Sequence, residues 1–196
     1  MTVDGFTKFT FLVNGISSLL GWNVVLACFD FFGSKFKGKQ PATYFPIPLF
    51  IAYVVIALVY NEMQKRISYR KMILWGLFGT NITLAAMLAV ALLMEQTTIG
   101  YFIELLLCFC VGAFGNITQL SFFAMINYLS TGTISNFNIG TALSMVVTSL
   151  TRIIILSIAG PDSSNTGAII IYFSIGLLTN FADMYLNYRF FNSDVF

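Results

Sequence analysis

Long unbroken apolar runs alternate with short polar turns from one end of the chain to the other. The runs are Phe9 to Phe32, Tyr44 to Asn61, Met72 to Met94, Ile99 to Leu129, Ile134 to Ala159 and Thr166 to Asn187. Each is close to or above the roughly 20 apolar residues that cross a ~30 Å hydrocarbon core. They are continuous and far longer than the ~10-residue alternating strands of an outer-membrane barrel. A backbone in lipid must satisfy its own polar groups, so the pattern predicts an all-α polytopic membrane protein, one bundle of six transmembrane helices over residues 1–196. The first run is too long for a cleavable signal sequence and is followed directly by five more, so it is expected to insert as a span. Short connections make successive helices antiparallel neighbours. Pro41, Pro46 and Pro48 precede or open the second span, where a missing N–H costs nothing, and Gly160-Pro161-Asp162 closes the fifth.

Hydrophobic residues make up 58% of the chain, charged residues 9%, and the mean hydropathy is +0.84. Such a chain has no polar rind for a soluble domain. A net charge of +2 is too small for a nucleic-acid surface, and no nucleic acid is expected as a partner. Histidine is absent, which removes the commonest metal ligand and the usual general base. Catalytic residues, a metal site, a cofactor and enzymatic activity are therefore not expected. Cys28, Cys108 and Cys110 fall inside spans without CxxC spacing and read as buried small hydrophobes. The sequons Asn81-Ile82-Thr83 and Asn116-Ile117-Thr118 also fall inside spans, beyond the reach of a lumenal enzyme. The side of the N-terminus gathers Lys8, Lys65, Arg66, Arg70, Lys71 and Arg189 against Lys35, Lys37 and Lys39 on the other. This balance places both termini on the cytoplasmic or matrix face, with the mitochondrial inner membrane one candidate location.

Polar residues inside the spans carry the functional signal, because each is costly in lipid and should face a cavity or a partner. On the fifth span Asn136, Gly140, Ser144, Thr148 and Arg152 recur at i+4, along one slowly drifting face. The fourth span places Gly112, Asn116, Gln119, Phe123 and Asn127 at i+3 or i+4, and the first places Gly15, Ser18, Trp22 and Leu26 likewise. These seams either enclose a solvated pathway or let helices pack closely through small residues and interhelical hydrogen bonds. Asn116 and Gln119, two amides within one turn, demand more partners than packing usually supplies. Arg152, Glu104 and Asp30 share a depth, so an Arg152 pair with Glu104 or Asp30 is sterically reasonable, as an ion pair or as a coupling or gating element. Asp183 belongs toward the opposite side, closer to Arg189.

The first span, Gly15-Ile16-Ser17-Ser18-Leu19-Leu20-Gly21-Trp22-Asn23, resembles the G-x-x-x-L-L-P-W-N motif of the equilibrative nucleoside transporters, with Gly21 where proline is usual. In the fourth span Phe114-Gly115-Asn116-Ile117-Thr118-Gln119-Leu120-Ser121-Phe122-Phe123 is similar to that family's F-G-A-x-x-Q-x-S-x-F pattern. Lys65-Arg66-Ile67-Ser68 and Tyr188-Arg189-Phe190-Phe191 are similar to family connections at these places. The likeness covers almost the whole chain and implies the N-terminal six-helix half of a major-facilitator-like transporter. It implies that Trp22 and Leu26 line a central cavity, that Gln119 hydrogen-bonds a nucleobase, and that Asn23 and Ser121 stand nearby. An amide offers a base edge both donor and acceptor, and an indole face stacks on the ring.

Two departures divide the functional expectation. The family's fifth-helix G-Q-G-x-x-G is represented only by Gly140-Thr141-Ala142-Leu143-Ser144, and family members have eleven spans where this chain supplies six. One bundle cannot enclose a nucleoside from both sides. Either a second helical bundle, from a homodimer or another subunit, completes the cavity and permits alternating access, or the chain is a transporter-derived accessory subunit of a large membrane complex such as a respiratory assembly. Membrane lipids are partners in both cases, and a nucleoside is the ligand in the first.

Overall fold

A computed structural model describes residues 5–94, 97–129, 131–159 and 166–193. Eight helices and no strand occur among them: α1 (Gly5–Ala27), α2 (Phe29–Lys35), α3 (Pro41–Tyr44), α4 (Pro46–Arg66), α5 (Tyr69–Leu93), α6 (Thr98–Ile126), α7 (Thr131–Ala159) and α8 (Thr166–Phe191). They compose six spans long and apolar enough to cross a bilayer, with α1–α2 forming the first and α3–α4 the second. The protein is an all-α, six-span membrane bundle.

The first span tightens at Cys28, whose N–H bonds back to Val25 O at 3.1 Å, and then resumes as α2. Pro41 and Pro46 stand in the opening turns of α3 and α4, where an amide hydrogen would have no intrahelical acceptor. Thr97 caps α6 by accepting from Gly100 N–H at 3.0 Å. The turn Gly160-Pro161-Asp162 lies outside the described residues.

Helices α1, α6, α5 and α8 close into a ring, each packed on the next, while α4 leans on α6 and α7 on α1 from outside. The two outer helices accordingly present Ile51, Val54, Leu58, Val146, Leu150 and Ile154 outward, as lipid-facing surfaces do. Two apolar clusters fill the bundle, reaching from the ring to the outer helices. One joins Phe11, Ile73, Phe122, Met125, Phe137 and Phe190, and therefore brings the start of α1 and the end of α8 to the same end of the bundle. The other joins Val25, Phe32, Phe45, Leu84, Cys108 and Phe173 at the opposite end. Cys28 and Cys108 are buried there, and Cys110 is half-buried. Asn81 and Asn116 are buried within α5 and α6.

The fifth-span seam is a packing seam. Gly15 of α1 and Gly140 of α7 meet so closely that a Cβ added to Gly15 would lie 2.1 Å from Phe137 O, and one added to Gly140 2.0 Å from Leu12 O. Each glycine thus turns a Cα hydrogen toward a carbonyl of the other helix, a reciprocal pair of weak hydrogen bonds. Ser144, fully buried, accepts from Asn23 Nδ2 at 2.9 Å, and Thr148 donates to Ser144 O within its own helix. Gly140 and Ser144 join α7 to α1 instead of lining a pathway.

Candidate functional site

Between the apolar clusters lies a polar layer. On α1 it falls between Phe11 and Val24, with Leu20 of the second cluster set into it, on α5 between Leu77 and Leu84, on α6 between Val111 and Phe122, and on α8 between Phe173 and Phe190. A cavity of about 10 Å³ occupies it, lined by Ser17, Ser18, Gly21 and Trp22 of α1, Tyr53 of α4, Thr80 of α5, Gly115 and Thr118 of α6, and Asn180 of α8, among others. That volume is room for about one water molecule. Every lining residue is near the middle of its span, the depth at which transporters place their sites.

Of the residues expected around a central cavity, Trp22 lines this one. It is half-buried and packs edge-on against Phe29 at 5.9 Å. Gln119 follows Gly115 by four residues and so continues its stripe of α6. It is half-buried, and its side chain makes no hydrogen bond among the described residues. The other expected residues disperse. Asn23 is tied to Ser144, and Asn116 donates to Tyr53 O at 2.9 Å, holding α4 to α6. Ser121 accepts from Tyr60 Oη at 3.2 Å and donates to Ile117 O. Phe123 packs edge-on against Phe137 at 5.1 Å, and Leu26 is half-buried outside the cavity lining. The amide pair Asn116 and Gln119 therefore splits: the first is structural, the second unspent.

Arg152 pairs with Asp30 at 2.5 Å, both side chains about half exposed. Glu104 is not part of that pair. It is fully buried in α6 with both carboxyl oxygens unpartnered, and Lys35 donates to Ala91 O. Asp183 also departs from expectation. Arg189 bonds Tyr185 Oη at 3.2 Å, and no cation contacts Asp183 among the described residues. Asp183 is instead fully buried in an uncharged nest. Ser17 donates to its Oδ2, and Asn187 Nδ2 donates to its Oδ1 at 3.0 Å. Asn14, with its amide turned so that the nitrogen faces α8, donates to the same Oδ1 at 2.5 Å and to Thr10 O at 2.9 Å. One turn earlier on α8, Asn180 is fully buried with neither amide atom partnered, and it faces the cavity.

Sequence reading singled out neither Asn14, Ser17, Asn180 nor Asn187. A signal was available: Asn180, Asp183 and Asn187 recur at i+3 and i+4, a polar stripe inside an otherwise apolar span. No group of three or more potential metal-ligating side chains occurs among the described residues. No protein-family model and no curated protein sequence matches the chain.

Proposed function

We propose that this chain is one wall of a nucleoside-carrier-like pathway, half the size of an equilibrative nucleoside transporter, and that a second bundle supplies the opposing wall. The observation that carries this reading is Gln119, a half-buried amide inside the membrane-spanning helix α6, seven residues before its end at Ile126, with its hydrogen-bonding capacity unspent. Lipid makes such a group expensive, and Trp22 borders the adjoining cavity. A cavity of about 10 Å³ does not hold a nucleoside, since small-molecule sites run to roughly 300–1,000 Å³. The nucleoside site accordingly belongs between this bundle and another, with Trp22 stacking on the base and Gln119 reading its edge. Both termini face the cytoplasm or matrix in this arrangement, which suits a parallel two-fold pairing.

A second reading, a non-transporting subunit of a large membrane assembly, is favoured by one observation. The fifth-span seam, which would line a pathway in a carrier, is consumed by packing on α1.

Purification in mild detergent with intact-complex mass measurement, followed by nucleoside uptake into proteoliposomes, separates the two. A dimer or a complex with a second helical bundle that takes up adenosine or uridine supports the carrier. Gln119→Ala is expected to reduce uptake at least tenfold with little change in stability, because no internal bond is lost; Trp22→Ala reduces uptake too. Absence of flux together with a fixed single copy in a large assembly refutes the carrier reading.

A further inference from the structure

We infer that Asp183 is a proton-binding site whose carboxyl oxygen Oδ2 exchanges its proton with the midplane cavity through Ser17. The inference is independent of nucleoside passage and stands or falls separately from it.

Charge comes first. A carboxylate fully buried within a membrane span requires a cation, a proton or a dense set of donors. The charged and titratable groups on its own helix are Tyr172, Tyr185, Tyr188 and Arg189, and none bonds to Asp183. On α1 the charged group is Lys8, exposed at the first turns. Helix α5 contributes Tyr69, Arg70 and Lys71 at its start, where Arg70 bonds Asn192, and α7 contributes Arg152, held by Asp30. Among the described residues, neutral groups alone surround the carboxyl.

The hydrogen bonds then assign the proton. Oδ1 faces two amide N–H donors, from Asn187 and Asn14, so it acts as an acceptor. Oδ2 faces only the Ser17 hydroxyl. Ser17 has one proton and two acceptors in reach, Asp183 Oδ2 and Asn14 O at 3.2 Å. With Asp183 ionised, the Ser17 proton serves Oδ2 and leaves Asn14 O without it. With Asp183 protonated, Oδ2–H donates to Ser17 Oγ and Ser17 donates to Asn14 O, so both acceptors around the Ser17 hydroxyl are served.

The cavity provides the route. Ser17 lines it, and so does Asn180, whose buried, unpartnered amide offers both a donor and an acceptor to a water in that space. Release balances simply. The Asp183 Oδ2–H bond breaks as Ser17 Oγ takes that proton, the original Ser17 hydroxyl proton passes to a cavity water, and a carboxylate, a hydroxyl and a hydronium remain. Binding is the reverse.

The test is infrared difference spectroscopy of the full chain in lipid nanodiscs at neutral pH, in a Glu104→Gln background that removes the other buried carboxyl among the described residues. A protonated-carboxyl C=O band is expected that shifts in D₂O, is lost on adding Asp183→Asn, and moves to higher frequency with Ser17→Ala, which weakens its hydrogen bond. The Ser17→Ala measurement decides the matter should Asp183→Asn not fold. Absence of the band in Glu104→Gln protein, or a band that neither substitution alters, overturns the assignment.

Discussion

One added methyl group at the α1–α7 crossing measures how far this bundle depends on close backbone approach. In Gly15→Ala the new Cβ would lie 2.1 Å from Phe137 O and 2.8 Å from Thr141 N. Both obstacles are backbone atoms fixed by helical hydrogen bonds, so no rotamer change relieves the overlap. Restoring an ordinary carbon–oxygen contact parts the helices locally by roughly 1 Å in an interior that is close-packed. That movement weakens the reciprocal Cα–H···O contacts, about 0.5–1 kcal/mol each. It also stretches the Asn23–Ser144 bond, now 2.9 Å and of a kind worth about 0.6 kcal/mol between membrane helices. Overpacking of a filled site costs about 1–3 kcal/mol, a figure that overlaps these losses. Alanine returns up to about 1 kcal/mol through its higher helix propensity. The net destabilisation is expected to be about 1–2 kcal/mol, and larger for Gly15→Leu. Gly115→Ala is the control, since its Cβ meets nothing within 4 Å. Reversible unfolding in mixed micelles reads both variants. If Gly15→Ala is as stable as Gly115→Ala, the α1–α7 seam is not a close-packed contact and the reasoning fails.

Arg152→Gln and Asp30→Asn are each expected to change unfolding free energy by less than about 1 kcal/mol, because the pair is 41% and 59% exposed and such pairs contribute little; a larger loss in either variant by the same assay would make the pair structural. Thiol labelling with a maleimide should modify Cys110 in the folded protein, while Cys28 and Cys108, 2% and 0% exposed, react only on unfolding. Mass spectrometry of partly labelled protein counts and locates the adducts, and early labelling of Cys108 would contradict the packing of α6.

The span count was legible because it depends on a one-dimensional quantity, apolar length against bilayer thickness. Helix ends were legible only where a residue dictates them, as Pro41 and Pro46 do. Phe29–Lys35 continues beyond the expected boundary at Phe32, and α8 runs to Phe191 instead of Asn187, because residues at the interface remain helical after hydropathy falls. The seams were legible as faces but not as destinations. Gly140 and Ser144 sit on one stripe in the sequence, yet whether it meets water or α1 depends on which helix lies opposite. The Asp183 nest was least legible for the same reason: Ser17 and Asp183 are 166 positions apart, and nothing local announces that α1 and α8 touch there. Arg152 could be matched to Asp30 by depth, but depth alone did not separate Asp30 from Glu104.

Asn180 distinguishes the two functional readings, because it costs stability that a scaffold has no reason to spend. Its amide is fully buried with no protein partner, and an unsatisfied buried polar group costs about 1–3 kcal/mol, less where a water partly satisfies it. Asn180→Leu replaces the amide with an apolar group of similar size, and the adjoining cavity accommodates the difference in shape. Unfolding in mixed micelles is expected to show a gain of about 1 kcal/mol. If the bundle serves only to fill a larger assembly, that more stable variant assembles and supports the complex as well as the parent does. If the midplane layer serves passage of a solute or a proton, the same substitution raises stability and lowers flux together. A variant that is destabilised would show that Asn180 is already fully bonded, and the polar layer would then be structural at this position.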